Sequence, residues 1–418
     1  MIDMQTIVRK PHNFKKYLRG ILTVPFLVLF FVMVISCGSN KQDLVDKDFH
    51  LIENQLSLAV RIADSNMMEG NNALVIPRSI SPDGKLILVG SDDWCSGFFA
   101  GTLWYMYEYT NDSKWEKAAR KYTDILEPER KNKGTHDLGF MMYCSYGNGL
   151  RLSHDTAYKS ILIQTAENLK SRYSPKLKVI RSWDFGEDVW QYPVIIDNMM
   201  NLELLFWAAK ETKDTSFYNV AVNHAKTTMK HHFRDDYSTY HVVDYDTVTG
   251  GVRQKMTHQG YSDSSSWARG QAWALYGYVM CYKETKERAF LDQATHIANF
   301  LFKHPNMPSD YVPYWDFDSP KIPDEHRDAS AAAIIASAMY DLYVVDGANN
   351  QAYKDYADKI MNSLSTNYMA PKDGLYGFIL GHSTGSMPHN SEVDVPLSYA
   401  DYYFMEALLR KRKIEDKI

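Results

Sequence analysis

The stretch Ala331-Ala332-Ala333-Ile334-Ile335-Ala336 is apolar on every face of a helix, and Gly97-Phe98-Phe99-Ala100-Gly101 has the same character. A helix that is apolar all round is buried among other elements instead of lying on a surface. The two stretches therefore indicate an all-α fold in which an inner set of helices is covered by an outer set.

Apolar residues recur at helical spacing in twelve segments of the chain. The segments are 48–67, 93–110, 112–127, 138–152, 154–173, 194–211, 214–233, 265–284, 286–304, 327–345, 351–369 and 397–411. Short polar turns such as 110–113 and 212–215 favour antiparallel helical hairpins. Six hairpins with a buried inner set predict an (α/α)6 barrel. An α-solenoid is the alternative, but the sequence shows no repeat of fixed length.

One extended region interrupts the helices. Residues 240–245 and 251–255 flank a Thr-Gly-Gly turn and predict a small β-hairpin insertion. This hairpin directly precedes the densest polar motif of the chain.

The first 37 residues predict an export signal that is not part of the fold. Five basic residues precede an apolar run at 21–35, and Val34-Ile35-Ser36-Cys37-Gly38 resembles a bacterial lipobox. Cys37 is then the lipidated N-terminus, 38–48 a polar tether, and 49–418 a single domain held at the cell envelope, in the periplasm or at the outer membrane. A transmembrane anchor is the alternative, although the run is shorter than the roughly 20 residues that a spanning helix needs.

Composition narrows the function classes. With 45% hydrophobic and 23% charged residues and a formal net charge of -5, the chain has no basic excess that suggests a nucleic-acid partner. Lipidation of Cys37 leaves Cys95, Cys144 and Cys281, an odd number in apolar contexts that predicts buried thiols. The sequence contains no HExxH, CxxC or Walker motif, so we expect catalysis without a metal or other cofactor.

The richest candidate for a binding site is Thr257-His258-Gln259-Gly260-Tyr261-Ser262-Asp263, which runs through three serines into Trp267-Ala268-Arg269-Gly270-Gln271-Ala272-Trp273. Arg269 and Trp273 lie four residues apart and share one helix face. A guanidinium beside an indole suits an acidic sugar, because the cation pairs with a carboxylate and the indole stacks on the ring. A structural ion pair beside a buried tryptophan is the alternative interpretation.

Two acids have apolar neighbours. Asp137 stands in Thr135-His136-Asp137-Leu138-Gly139-Phe140, and Asp197 stands on the predicted helix in Ile195-Ile196-Asp197-Asn198-Met199. Apolar surroundings raise a carboxyl pKa, which suits a general acid/base near neutral pH. Helix capping or a favourable interaction with the helix dipole is the alternative for each acid. Trp94 and Trp183 are candidates for sugar stacking or for core packing.

Together the motifs THDLGF, IIDNMMNLELL and HQGYSDSSSWARGQAW resemble the unsaturated glucuronyl hydrolases, glycoside hydrolase family 88. The resemblance spans the chain from Trp94 to Leu408 and implies an (α/α)6 catalytic domain with Asp197 as acid/base and Asp137 as the second essential acid. It also implies a set of substrate contacts: His136, His241, Gln259, Trp267, Arg269 and Trp273, with Trp94 and Trp183 as weaker matches.

The resemblance implies hydration of a vinyl ether. Protonated Asp197 would deliver a proton to C4 of a 4,5-unsaturated uronic acid at the non-reducing end of a lyase-generated, glycosaminoglycan-type oligosaccharide, and its carboxylate would then assist attack of water at C5. Three alternatives remain at this point: a family 105-like unsaturated rhamnogalacturonyl hydrolase, a non-catalytic glycan-binding lipoprotein, and a lyase on the same barrel.

Overall fold

A computed structural model describes residues 44–68, 70, 73–347 and 350–416 of the chain. The predicted export signal, with Cys37, and residues 38–43 of the predicted tether lie outside the described residues. The first described helix begins at Leu44, so the last five residues of the predicted tether are helical instead. Among the described residues, none of the helices is both long enough and apolar enough to cross a membrane.

All twelve predicted helices are present. They are α1 (Leu44–Met68), α2 (Ser96–Thr110), α3 (Ser113–Asp124), α4 (Asn148–Ser153, which continues a π-helix at Gly139–Gly147), α5 (Ala157–Ser171), α6 (Asn198–Thr212), α7 (Thr215–His231), α8 (Ala268–Thr285), α9 (Arg288–Lys303), α10 (Ala329–Val345), α11 (Gln351–Ser363, followed by a π-helix at Leu364–Tyr368) and α12 (Ser398–Glu415). The 3-10 turns are Glu127–Lys131, Leu375–Gly377 and Met387–His389.

The helices form two concentric rings. The inner ring closes in the order α2, the π-helix with α4, α6, α8, α10, α12 and back to α2, each member packing on the next. The odd-numbered helices lie outside against their inner neighbours. Inner helices such as α8 and α10 are buried along almost their whole length. The predicted (α/α)6 barrel is confirmed, since a solenoid would not close.

Close approach within the inner ring depends on small residues. A Cβ atom on Gly97 of α2 would lie 2.1 Å from the carbonyl oxygen of Met141 in the π-helix. The glycine therefore allows two backbones to touch, which is a main use of glycine in packed interiors.

Three turns that lead from an inner helix to the next outer helix share one local design. After Thr110, Thr212 and Thr285, the next residue has a left-handed backbone conformation. The threonine hydroxyl then accepts a hydrogen bond from the backbone N–H of the acidic residue two positions on. The acids Asp112 and Asp214 then cap the next helix through their side chains. These caps satisfy amide groups that a helix leaves without partners. These turns thus repeat one local motif, although the helices that they connect show no sequence repeat.

In the part of the chain that the structure describes, four small sheets lie at one end of the barrel. Their strands are β1 (Ile76–Ile80), β2 (Leu86–Val89), β3 (Tyr173–Ser174), β4 (Val179–Ile180), β5 (Pro193–Ile195), β6 (Val242–Tyr245), β7 (Val252–Met256), β8 (Ser383–Ser386) and β9 (Ser391–Val395). The predicted hairpin is confirmed as β6–β7, but it is part of a three-stranded sheet to which β5 pairs antiparallel. The β1–β2, β3–β4 and β8–β9 pairs were not predicted.

Candidate active site

A cavity of about 690 Å³ opens where the inner helices begin. Asp137 precedes the π-helix, Asp197 precedes α6, and Arg269 stands in the first turn of α8. Helix N-termini carry partial positive charge, so this end of the barrel favours an anionic ligand. The lining residues are Trp94, Gly134, Thr135, His136, Asp137, Ser182, Trp183, Asp184, Phe185, Ile195, Asp197, His258, Gln259, Arg269, Ser386, His389 and Ser391.

Asp197 sits at the junction of a strand and a helix. The sequence predicted a helix from 194 onward, but Pro193–Ile195 is a strand and α6 begins at Asn198. The side chain of Asp197 makes no capping hydrogen bond to the helix, so the alternative role as a cap is not observed. Its residue is only 9% exposed. The carboxyl is therefore buried at the wall of the cavity.

Burial raises the pKa of Asp197 to about 7. The charge of Arg269 acts in the opposite direction, while the negative charge of Asp137 raises the pKa further. The loss of hydration outweighs the nearby cation because a buried carboxylate has no water to stabilise its charge. Near neutral pH the group is thus divided between acid and carboxylate.

His241 faces Asp197 in a fixed tautomer. Backbone N–H groups of His258 and Gln259 both donate to its Nδ1, at 3.0 and 3.1 Å. Nδ1 is therefore the acceptor, and the ring proton of neutral His241 is on Nε2. Nε2 lies 3.7 Å from Oδ2 of Asp197. Burial lowers the pKa of His241 well below its usual range, so the ring presents a neutral N–H to the carboxyl group.

Asp137 belongs to a second group on the cavity wall. Its Oδ1 lies 3.2 Å from Nε2 of His136, and its Oδ2 accepts a hydrogen bond of 2.8 Å from the Thr135 hydroxyl. His136 is buried, and this burial lowers its pKa. The predicted pairing of the two acids in one site is thus observed, with Asp137 held by its own two preceding residues.

The guanidinium of Arg269 binds three protein groups inside the wall of the cavity. The guanidinium donates to Oδ2 of Asp328 at 2.9 Å and to the carbonyl oxygens of Thr384 and Gly385. It is 1% exposed although it reaches the cavity. The alternative interpretation of Arg269 as a structural ion pair is therefore observed, and its contact with a substrate carboxylate stays a prediction.

Two predicted sugar contacts are core residues. Trp273 has no exposed surface and packs between Phe140 and Tyr403. Trp267 is 3% exposed and packs on His241 and Arg269. The prediction that Trp273 stacks on a sugar was therefore wrong, because none of its surface is exposed. Trp267 does not line the cavity, and its contact with substrate stays a prediction. Trp273 lies close enough to Asp197 to lower the pKa of that carboxyl, so this residue influences the site from within the core.

Four of the five remaining predicted contacts lie where a ligand can reach them. His136, Gln259, Trp94 and Trp183 line the cavity, and Gln259 also donates to the carbonyl oxygen of Gly385. His241 is buried behind the lining.

Ten lining residues were not among the predicted site residues, and Phe185, His258, Ser386 and His389 are four of them. The rings of His258 and His389 lie 4.6 Å apart. Residues 381–390 are rich in serine and histidine, a composition from which Ser386 and His389 could have been predicted.

The described residues contain no group of three or more His, Cys, Asp or Glu side chains that could hold a metal ion. Cys95 and Cys281 are buried free thiols and Cys144 is partly buried, in keeping with the prediction.

Comparison with known proteins identifies the family of this chain. The family model described as Glycosyl Hydrolase Family 88 matches residues 86–411. An unsaturated glucuronyl hydrolase of Formosa agariphila is 46% identical over 401 residues, 95% of this chain and 98% of the relative. The crystal structure of an unsaturated glucuronyl hydrolase specific for heparin has a TM-score of 0.84 at 47% identity, over 90% of this chain and 98% of that one. An unsaturated glucuronyl hydrolase from Bacillus sp. GL1, responsible for the degradation of glycosaminoglycan, has a TM-score of 0.79 at 28% identity, over 87% and 96% of the two chains. The chain belongs to glycoside hydrolase family 88.

Proposed function

We propose that this enzyme removes a 4,5-unsaturated uronic acid from the non-reducing end of glycosaminoglycan fragments made by polysaccharide lyases. The observation that carries the proposal is the buried carboxyl of Asp197, whose pKa is raised to about 7 at the wall of an open cavity. A group that must donate a proton and then accept one works best with a pKa near the working pH.

The chemistry is hydration of a vinyl ether. Protonated Asp197 gives its proton to C4 of the C4=C5 bond, and positive charge develops at C5 and the ring oxygen. The resulting carboxylate takes a proton from water as the water oxygen bonds to C5. The C5 hemiketal then opens to a ketone, the hemiacetal at C1 expels the next sugar as an alcohol, and C1 becomes an aldehyde. One water is consumed, and Asp197 ends protonated as it began.

The surroundings of Asp197 suit both halves of this cycle. The neutral N–H of His241 at 3.7 Å is placed to stabilise the carboxylate once the proton has left. The buried charge of Arg269 does the same from a distance. Asp137, a carboxylate on the same wall, is placed to stabilise positive charge at the sugar ring.

Heparin-type fragments are the proposed preferred substrates. The relative that is specific for heparin is 47% identical to this chain, whereas the Bacillus sp. GL1 enzyme is 28% identical. The substrate test follows the loss of the ultraviolet absorbance of the conjugated C=C bond with unsaturated heparin, chondroitin and hyaluronan disaccharides. Fastest loss with the heparin disaccharide is expected; loss with another glycan alone would reject this preference, and no loss with any would reject the function.

The pH dependence of kcat/KM is expected to report Asp197. The step at C4 requires the protonated group, so kcat/KM falls as the pH rises through about 7. In Asp137→Asn the negative charge that raises the Asp197 pKa is gone, so the falling limb moves to lower pH. Initial rates measured across the pH range give the position of the falling limb in the wild type and in the variant. A limb that stays in place or moves to higher pH in the variant would contradict this coupling.

We propose further that Cys37 carries a lipid that holds the enzyme at the bacterial cell envelope. Support comes from the basic segment, the apolar run and the Ser36-Cys37-Gly38 sequence that follows it. Cys37→Ser is expected to abolish incorporation of a radioactive fatty acid and to release the enzyme from the membrane fraction. Labelling that persists in this variant would exclude lipidation at Cys37, and Cys144→Ser serves as the control.

A further inference from the structure

Phe185 is an exposed aromatic ring at a binding cavity. The residue is 57% exposed, although exposure of a large apolar side chain brings no gain in folding free energy. One face of its ring lies parallel to Trp183, with the centroids 5.0 Å apart and an interplanar angle of 11°. The ring is therefore supported on one side while its other side is free for contact.

The same stacking changes the role of Trp183. This indole contacts Phe185 on its face, Trp190 at a ring angle of 78°, and His258 at 5.6 Å, and it is only 9% exposed. A sugar that approaches the pair meets Phe185 before it meets Trp183. The aromatic surface offered by this part of the wall is accordingly the outer face of Phe185.

The residues on either side hold Phe185 in place. The carboxylate of Asp184 accepts two hydrogen bonds from Arg172, at 2.8 and 3.1 Å, and lies 3.2 Å from Nε of Arg181. Gly186 has a φ of +67° and packs so closely on Trp190 that a Cβ would lie 2.9 Å from that ring. Ion pairs before the ring and a tight turn after it thus preorganise the platform, which reduces the cost of ordering it on binding.

We propose that Phe185, backed by Trp183, is the platform for the sugar on the reducing side of the scissile bond. The proposal rests on the proposed function, in which that sugar is the leaving group. A pyranose ring has one face of C–H groups, and such a face packs on an aromatic ring through dispersion and weak C–H contacts. Phe185 would then select for an aglycone that is itself a sugar, without touching the reacting bond.

The test compares two substrates in Phe185→Leu, which keeps an apolar side chain but removes the flat ring. One is the unsaturated heparin disaccharide and the other is an unsaturated glucuronic acid methyl glycoside, which lacks the second sugar. We expect KM for the disaccharide to rise about 3- to 10-fold, as loss of one aromatic contact implies. The kcat/KM for the methyl glycoside should stay unchanged, and Phe185→Tyr should restore the disaccharide KM.

Three further measurements make the result decisive. Tyr237→Leu removes an exposed ring that packs on His296 outside the cavity, and it should alter neither substrate. Calorimetric binding of the disaccharide to Asp197→Asn, with and without Phe185→Leu, reads the contact independently of turnover. Circular dichroism melting checks that Phe185→Leu folds as the wild type does.

If Phe185→Leu impaired turnover of both substrates equally, or left KM for the disaccharide unchanged, the proposed role of Phe185 would be overturned. Failure of the wild-type enzyme to cleave either substrate would count against the proposed function instead. The calorimetric comparison then still decides whether Phe185 binds the second sugar.

Discussion

Replacing Asp197 by asparagine is expected to lower kcat by about 10²- to 10⁴-fold, the range that one general acid/base contributes. An amide of nearly the same shape fills the site but has no proton to give to C4 and cannot accept one from water. Binding should be largely retained, since the amide still faces Nε2 of His241. Stopped assays of C=C absorbance, at substrate concentrations above and below KM, separate the two effects.

The pH dependence of protein stability provides a second, independent test of the raised pKa of Asp197. The folded-state pKa of about 7 lies above the ordinary value of 3.8, so the folded state holds this proton more tightly than the unfolded state. The stabilisation is complete below about pH 4 and is lost as the pH rises through 7. It amounts to roughly 4 kcal/mol at most. Asp197→Asn lacks this dependence, so its Tm relative to wild type should rise between pH 4 and 8.

Asp401 provides a matched control. Burial also raises its pKa, to about 8, but its carboxylate accepts the backbone N–H groups of Ile379 and Leu380, away from the cavity. Asp401→Asn keeps one acceptor and loses the other, which should cost about 1–3 kcal/mol of stability and leave kcat unchanged. If Asp197→Asn retained wild-type kcat, or if both variants lost activity alike, Asp197 would not be the acid/base.

Helical periodicity predicted the barrel well because twelve long segments each contain several turns of pattern. The short strands escaped for the opposite reason. Pro193–Ile195 has three residues, too few for an alternating pattern, and its apolar character joined it to the helix that follows. This strand pairs with β6, and the Ile196 N–H donates to the carbonyl oxygen of His241. The contact that brings Asp197 beside His241 is thus tertiary, and no local pattern contains it.

For similar reasons, some residues of the site were predicted from the sequence and others were not. Asp137 and Asp197 were recognisable since a carboxyl among apolar neighbours is unusual at any position. Helical spacing correctly placed Arg269 and Trp273 on one face, but it could not tell whether that face meets the cavity or the core. Phe185 was not predicted, because its proposed role depends on which face of the stacked Phe185–Trp183 pair is exposed. Exposure is a property of the assembled barrel, not of a sequence window.

Replacing Arg269 is expected to have the second large effect, a loss of folding stability. Arg269→Met would leave Asp328 buried with 0% exposure and no cation, and would remove the donor to the carbonyl oxygens of Thr384 and Gly385. Breaking a buried ion pair from one side costs about 3–5 kcal/mol. Chemical denaturation should show this loss, and kcat/KM should fall as well, because β8 carries Ser386 into the cavity.

A double-mutant cycle with Asp328→Asn distinguishes the ion pair from the remaining contacts. Oδ1 of Asp328 caps α10 through Ser330 and Ala331, while Oδ2 meets Arg269, and the asparagine can retain the cap. The double variant should therefore be less destabilised than the sum of the two single variants, as expected when removal of both charges leaves none unpaired. Activity should not recover with stability, since the strand that Arg269 holds against α8 would still be released. Strict additivity would show that Asp328 and Arg269 do not act as a pair. Recovery of activity together with stability would show that Arg269 matters to catalysis only through the folded population.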